Sequence, residues 1–307
     1  MSTIVSLIEE KSSLTKRLEN LIYGSIEIRE NGDKKFIYTH YRDDGVLKTK
    51  YAGVFSNELY NLILENNKLA KDLKKRLSAV NKELAQSNYV ETEISDEVEL
   101  NRAFAIRSIV DSVYKQAMLE GVATTYSDTE TLLNGGKVTN MTASDISKVI
   151  NLKHSWEFIT NTGVLQYPSN YLLLCQINSL VEEGFSVTAG RLRTVPITIG
   201  GSSYIPPFPI ESAVKEQLEE ILKIEDTVER AIKALLFIMR KQLFLDGNKR
   251  TAVLFANHIL ISHGKGLIVI PAEKVSEYKK KLVDYYETGN EKTIAEFLID
   301  YAYLPLK

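Results

Sequence analysis

Phe244-Leu245-Asp246-Gly247-Asn248-Lys249-Arg250 lies between two apolar segments, Ala231–Leu243 and Thr251–Ile261, whose spacing predicts a helix on each side. Asp246 and Asn248 are residue types that cap a following helix, and Gly247 permits backbone geometry that other residues resist. The first-turn amides of such a helix lack intrahelical partners and attract anions. Lys249 and Arg250 add two cations for a polyphosphate, and Asp246 adds one hard oxygen ligand for Mg²⁺ bridging the phosphates. The stretch therefore describes a nucleotide-phosphate cradle. An ordinary capped interhelical turn uses the same residue types, so at this point both readings stand.

Outward from this loop the chain reads as helices. They are expected over Glu97–Leu119, Ser127–Leu133, Thr142–Asn161, Ser169–Glu183, Ile210–Leu222, Thr227–Leu243, Asn248–His263, Glu273–Glu287 and Glu291–Tyr303. The exception is Ile197–Pro207, where β-branched residues surround Gly200-Gly201 and two prolines forbid helix; it predicts a lone β-hairpin. A hairpin in a helical domain is usually there to touch something. His154, His258 and His263 fall in or near helices without the i, i+4 spacing of a metal pair, and read as satisfied or exposed histidines.

The first ninety residues read differently. Ile4, Leu7, Ile8, Leu14, Leu18 and Leu21 recur at helical spacing, and Leu59, Ile63, Leu69, Leu73, Leu77, Val80 and Leu84 mark a second helix over Ser56–Ala85. Between them Ser25–Arg29, Lys35–Tyr41 and Val46–Val54 read as three strands, joined at Asn31-Gly32-Asp33 and Asp43-Asp44-Gly45. Gln86–Asp96 is polar and aperiodic. The expected organisation is a helical-hairpin arm with a β-meander over 1–90 and a second, mainly α domain over 91–307. The arm has no catalytic constellation, because His40 stands without a second ligand type at metal spacing. Its Lys34, Lys35, Tyr38, Tyr41, Arg42, Lys48, Lys50 and Tyr51 leave RNA binding open, against the plainer reading of a solvated sheet face.

With 38 basic and 40 acidic residues the formal charge is -2, so no net field draws the chain to nucleic acid or anionic membrane. A single cysteine, Cys175, sits in an apolar run and excludes an intrachain disulfide framework. No stretch reaches the length of an uncharged apolar span and the N-terminus has no signal-peptide core, which predicts a cytoplasmic protein without membrane attachment.

Gln242-Leu243-Phe244-Leu245-Asp246-Gly247-Asn248-Lys249-Arg250 resembles the Fic family motif His-x-Phe-x-(Asp/Glu)-Gly-Asn-(Gly/Lys)-Arg at all fixed positions except the first. Ala189-Gly190-Arg191-Leu192-Arg193 followed by Ile199-Gly200-Gly201-Ser202-Ser203-Tyr204-Ile205-Pro206-Pro207 is similar to the Fic segment ending in the flap. Leu119-Glu120-Gly121-Val122 resembles the family's inhibitory helix. The resemblance covers about 95–303. It implies a helical Fic domain with a β-hairpin flap, ATP with Mg²⁺ as cofactors, and AMP transfer to a hydroxyl of a target protein. It also implies roles residue by residue. Asp246 would bind Mg²⁺, Gly247 and Asn248 would hold the α-phosphate region with Lys249 beside them, and Arg250 would meet the outer phosphates. Glu120 would be inhibitory, and Ile199, Gly200, Gly201, Ser202 and Tyr204 would dock the unidentified target.

The departures from the pattern matter as much. The family's general base is a histidine, and here the position is Gln242, whose amide cannot take a proton near neutral pH. The second arginine of many Fic motifs is Val253, which leaves Glu120 only Arg250 or Lys249 to pair with. Three readings follow: an impaired or non-catalytic nucleotide-binding protein, an active nucleotidyl or phosphate transferase using another base such as Glu120, and an interaction protein acting through its N-terminal arm on RNA or protein.

Overall fold

The computed structural model describes residues 4–43, 46–87, 89 and 93–306, with the side chain of 43 outside the description. The second expected hairpin tip, at 44–45, and part of the polar stretch 86–96 lie outside the described residues. The chain divides into two compact units, Met1–Val90 and Glu91–Lys307.

In the first unit, helices α1 (Ile4–Asn20) and α2 (Asn57–Gln86) pack together and are joined by a three-stranded antiparallel meander, β1 (Ser25–Asn31), β2 (Lys34–Asp43) and β3 (Val46–Val54). Ser56 starts α2 by accepting the Leu59 N–H on its hydroxyl. Strand alternation buries Ile37 and Thr39 and turns Phe36, Tyr38 and His40 to the other face. There Tyr38 packs on Tyr51, Arg29 lies over the Tyr38 ring, and His40 bonds Glu27 and Thr49. The turn out of α1 is held from α2: Asn67 accepts the Gly24 N–H and donates to the Gly24 carbonyl. A Cβ on Gly24 would stand 2.5 Å from the His40 carbonyl oxygen, so only glycine fits.

The second unit is built around one helix. It runs through α3 (Asp96–Arg107), α4 (Ile109–Leu119), α5 (Tyr126–Leu133), α6 (Ala143–Ile159), α7 (Thr162–Leu165), α8 (Tyr171–Val181), α9 (Glu211–Leu222), α10 (Thr227–Lys241) and α11 (Asn248–Ile261). It closes with β4 (Leu267–Ile268), α12 (Val275–Thr288), α13 (Lys292–Phe297) and β5 (Tyr303–Leu304). Every residue of α11 except Lys249 is buried, the mark of a helix enclosed on all sides. It packs on α10, α8, α6 and α3. Ser95, Thr125, Thr142, Asn170 and Asp226 each accept a first-turn N–H, so most helix starts around it are written in the local sequence.

In the middle of α11 two buried polar side chains hold the helix to its surroundings. Asn257 exchanges hydrogen bonds with the Ile268 main chain, fixing β4 against the helix. His258 bonds the Val164 carbonyl and the Ser169 hydroxyl, and burial pushes its pKa down to about 4, so it is a neutral core residue.

Three expectations need correction. The helix over Glu97–Leu119 is broken at Ser108, whose backbone leaves the α region at ψ 6°; serine tolerates helix interiors poorly. The closing helix ends at Phe297 and loosens into a π-helical turn, Leu298–Ala302, because Tyr303 and Leu304 pair with β4 instead. Finally, 197–207 forms a turn closed by the Ser202 N–H on the Ile199 carbonyl, with no strand ladder of its own. Its backbone is held by side chains from outside. Arg193 donates to the carbonyls of Gln242, Val195, Pro206 and Pro207, while Glu287 accepts from the Ser203 N–H and from the hydroxyls of Ser202 and Ser203. Two prolines without N–H groups could not have supplied a ladder.

Arg193 is 4% exposed, so replacing it removes the donor from four carbonyls at once, the buried Pro206 carbonyl among them. Arg193→Met is expected to lower the stability of the second unit by roughly 3 kcal/mol or more, since hydrogen bonds to a charged group contribute about 1.5–3 kcal/mol each. Urea unfolding of the two proteins checks this; a loss below about 1 kcal/mol would show that the bonds are not what holds the segment.

Candidate anion site at the start of the central helix

α10 stops because Gln242 turns left-handed, at φ 47° and ψ 63°, the one non-glycine residue with positive φ among the described residues. Such a conformation is strained for a residue with a Cβ and concentrates at functional sites. The Gln242 amide turns back onto its own helix, with Nε2 donating to the Met239 carbonyl at 2.6 Å, while its carbonyl receives Arg193 Nε at 2.7 Å. Leu243 and Phe244 then plunge into the core.

Asn248 shapes the loop. Its Oδ1 accepts the Phe244 N–H at 2.9 Å and its Nδ2 donates to the Phe244 carbonyl at 2.8 Å. The expected side-chain capping of α11 by Asp246 and Asn248 is therefore not what occurs. Gly247 is the N-cap, at φ 73°, and Asp246 Oδ1 accepts only the adjacent Gly247 N–H. Asn248 cannot cap because its amide is spent on Phe244, and the amides of the first turn are left without a side-chain cap.

Two further helices end at this point, each bringing a carboxylate. α4 closes in a Schellman motif, with the Val122 N–H on the Ala117 carbonyl, the Gly121 N–H on the Met118 carbonyl, and Gly121 at φ 77°. This sets Glu120 at the helix end, with Oε1 3.6 Å from Lys249 Nζ and Oε2 3.9 Å from Arg250 Nε. Gln116, one turn earlier, donates to the Arg250 carbonyl and accepts from the Trp156 indole, tying α4 to α11. α8 ends at Glu182, which is 2% exposed and lies 2.8 Å from Arg250 NH2. Burial pushes the Glu182 pKa up to about 7, with Arg250 opposing the shift and the charges of Asp246 and Glu120 adding to it. A carboxylate at a helix C-terminus opposes that helix's dipole, so both glutamates depend on the positive start of α11.

A cleft of about 970 Å³ opens over the loop. Of the sequence-predicted residues it is lined by Gln242, Asp246, Asn248, Lys249, Glu120, Ile199 and Gly200. Gly247 lies beneath it, and Gly201, Ser202 and Tyr204 stand at the flap tip, where the Tyr204 ring packs under Arg240. Arg250 is not on the wall; it is 4% exposed, held behind the loop by Glu182 and Glu120. Asp246 is the most open of the charged groups, its side chain 73% exposed. Lys279, Val283 and Tyr286 of α12 complete the wall opposite, and burial, with Glu120's charge adding, raises the Tyr286 hydroxyl pKa.

Sequence reasoning missed four features of this neighbourhood: Glu182, Asn178, Arg193's clamp and the α12 wall. Asn178 joins three segments, donating to the Asp246 carbonyl and the Thr251 hydroxyl and accepting the Gly190 N–H. A signal existed for two of them, because Leu174, Asn178 and Glu182 fall at i, i+4 and i+8 on the buried face of an otherwise apolar helix. Among the described residues no group of three or more His, Cys, Asp or Glu side chains could hold a metal ion by itself. Nor is any described helix long and apolar enough to cross a membrane.

Comparison with known proteins gives a consistent result. The Fic/DOC family model matches residues 168–260. Protein adenylyltransferase fic-1 of Caenorhabditis elegans is 26% identical over 180 residues, 55% of this chain and 35% of that protein, so the chain spans about a third of its curated relative. The solved structure of Fic-1 (residues 134–508) from C. elegans superposes with a TM-score of 0.54 at 21% identity, covering 80% of this chain and 78% of that one. A Fic domain containing signaling protein from Bacteroides thetaiotaomicron gives 0.54 at 20% identity, covering 71% and 89%. Residues 168–260, which hold the helix, the glycine loop and the central helix, thus form a Fic/DOC domain with adenylyltransferase homologues, and the chain shares the fold of the solved Fic structures.

Proposed function

We propose that the chain binds ATP with Mg²⁺ in the cleft over Asp246–Lys249 and is impaired in transferring the nucleotide to a protein hydroxyl. The observation that carries the reading is Gln242. It stands where the family motif has its general base, and its amide is turned onto the Met239 carbonyl. A glutamine can orient a hydroxyl but holds no proton-accepting nitrogen, and losing a general base costs roughly 10²- to 10⁴-fold.

The residues present fit the ligand. Uncapped amides at the start of α11 and the half-exposed Lys249 suit phosphate oxygens, and the open Asp246 carboxylate suits a hard cation that takes its other ligands from phosphate and water. When bound, the cation supplies charge neutralisation at the phosphates. The protein's own contribution is positional: Gly247 lets the backbone approach, Asn248 holds the loop, and Lys249 neutralises. Ile199 and Gly200 on the opposite wall are suited to receive an extended segment of a target protein, because the backbone of 197–199 is not used in a ladder.

A second reading, an active transferase with another base, is favoured by one observation: the Glu120 carboxylate lines the same cleft as Gln242.

Calorimetric titration with ATP and Mg²⁺ is expected to show binding that Lys249→Ala weakens about tenfold, the effect of one desolvated charge-assisted contact; an isotherm without heat for the parent protein would end the nucleotide reading. For turnover, Gln242→His is expected to raise labelled-AMP incorporation about a hundredfold or more over the parent. Equal incorporation by both, abolished by Glu120→Gln, would replace the impaired reading with the second one.

A further inference from the structure

Arg250 carries a buried guanidinium that is in contact with carboxylates on more than one side yet incompletely bonded. NH2 lies 2.8 Å from Glu182 Oε1 and 3.7 Å from Asp246 Oδ1, while Nε lies 3.9 Å from Glu120 Oε2, beyond hydrogen-bond reach. Arg250 Nε, Glu120 Oε1 and Glu182 Oε1 are all buried without a hydrogen-bond partner, so the 2.8 Å contact of NH2 with Glu182 Oε1 is an ion pair by distance, without hydrogen-bond alignment. Of the buried side-chain atoms left unpaired among the described residues, these three share one place, and buried polar atoms seldom stay unpaired without a reason.

Glu182 lies directly beneath the glycine of the loop. A Cβ on Gly247 would stand 2.6 Å from Glu182 Oε1, with Val181 and Asn178 at 3.0 and 3.1 Å. Asn178 on the same helix fixes the Asp246 carbonyl, so the end of α8 supports both the loop and the arginine behind it. Glu120 is the looser of the two glutamates, with a 14% exposed side chain on the cleft wall against 3% for Glu182.

We infer that Glu182 is a positioning residue of the anion site: it anchors the NH2 edge of Arg250 from below, so that the unpaired Nε edge is presented to an incoming phosphate when Glu120 yields. The inference rests on the nucleotide reading above for the identity of the ligand. The anchoring itself needs no ligand. Without Glu182, the guanidinium keeps its charge but loses its nearest fixed partner, and is drawn towards Glu120 and Asp246, the groups a nucleotide must displace or engage.

The test uses Glu182→Leu, Glu182→Gln, Arg250→Ala and the Glu182→Leu/Arg250→Ala double variant of the full chain. Calorimetry with ATP and Mg²⁺ is expected to show at least a tenfold loss for Glu182→Leu, no further loss when Arg250→Ala is added to it, and recovery to within threefold of the parent in Glu182→Gln, which keeps an acceptor at the same place. Glu182→Leu binding within threefold of the parent, or independent losses for the two single variants, would overturn the inference. Should the parent itself not bind, the nucleotide reading falls and thermal unfolding of the four proteins decides the anchoring. Non-additive shifts in melting temperature support the pair, and additive shifts refute it. If Glu182→Leu does not fold, Glu182→Met, which likewise removes the carboxylate, takes its place in the cycle with the same expected losses.

Discussion

One guanidinium organises this domain. Arg250 sits in the first turn of a helix buried on all sides, where its charge could not remain without partners, and the partners come from three separate places in the chain: the ends of α4 and α8 and the loop before α11. Each glutamate is badly placed with respect to its own helix and well placed with respect to α11. The ends of the two helices are therefore fixed by the start of a third. Breaking such a buried pair from one side leaves a naked charge, which typically destabilises by about 3–5 kcal/mol. That cost explains why the loop between Gln242 and Arg250 can be so tightly specified, with a left-handed glutamine, a glycine that admits no Cβ and an asparagine bonded twice to Phe244.

The opposite wall of the cleft is held by a different device. The segment 197–207 has no ladder, yet three charged side chains define its course. Arg193 donates to carbonyls near both of its ends, Glu287 holds the Ser202-Ser203 turn, and Arg240 lies over the Tyr204 ring. The donors of Ser202 and Ser203 hold the Glu287 carboxyl below the usual carboxylate range. A segment arranged in this way keeps its place on the cleft wall without a strand ladder, its one internal backbone bond being the Ser202 N–H on the Ile199 carbonyl. Because Arg193 also donates to the main-chain carbonyl of Gln242, the left-handed residue and the segment 197–207 share one clamp.

How much of this could be read in advance differs by level. The helix starts were legible, because Ser95, Thr125, Thr142, Asn170 and Asp226 act locally on amides three or so residues away. The meander was legible from alternation, which forced Ile37 and Thr39 to one face. The capping assigned to Asn248 was wrong for a physical reason: its amide could serve either the following helix or the preceding loop, and only the packed position of Phe244 chose between them. The hairpin expected at 197–207 failed similarly, since β-branched residues around Gly-Gly describe an extended segment but not what will satisfy it.

The helix–loop–helix around Asp246–Arg250, the glutamine at 242 and the resemblance to Fic proteins are legible in the chain alone, because they depend on residues adjacent in it. That Arg250 is withdrawn behind the loop rather than lining the cleft, that Glu182 lies against it, and that Arg193 and Glu287 hold the segment 197–207 follow from packing between distant segments. Glu182 and Arg250 are 68 positions apart. A charge meets its partner across such a separation through the packing of α8 on α11, which no local pattern encodes.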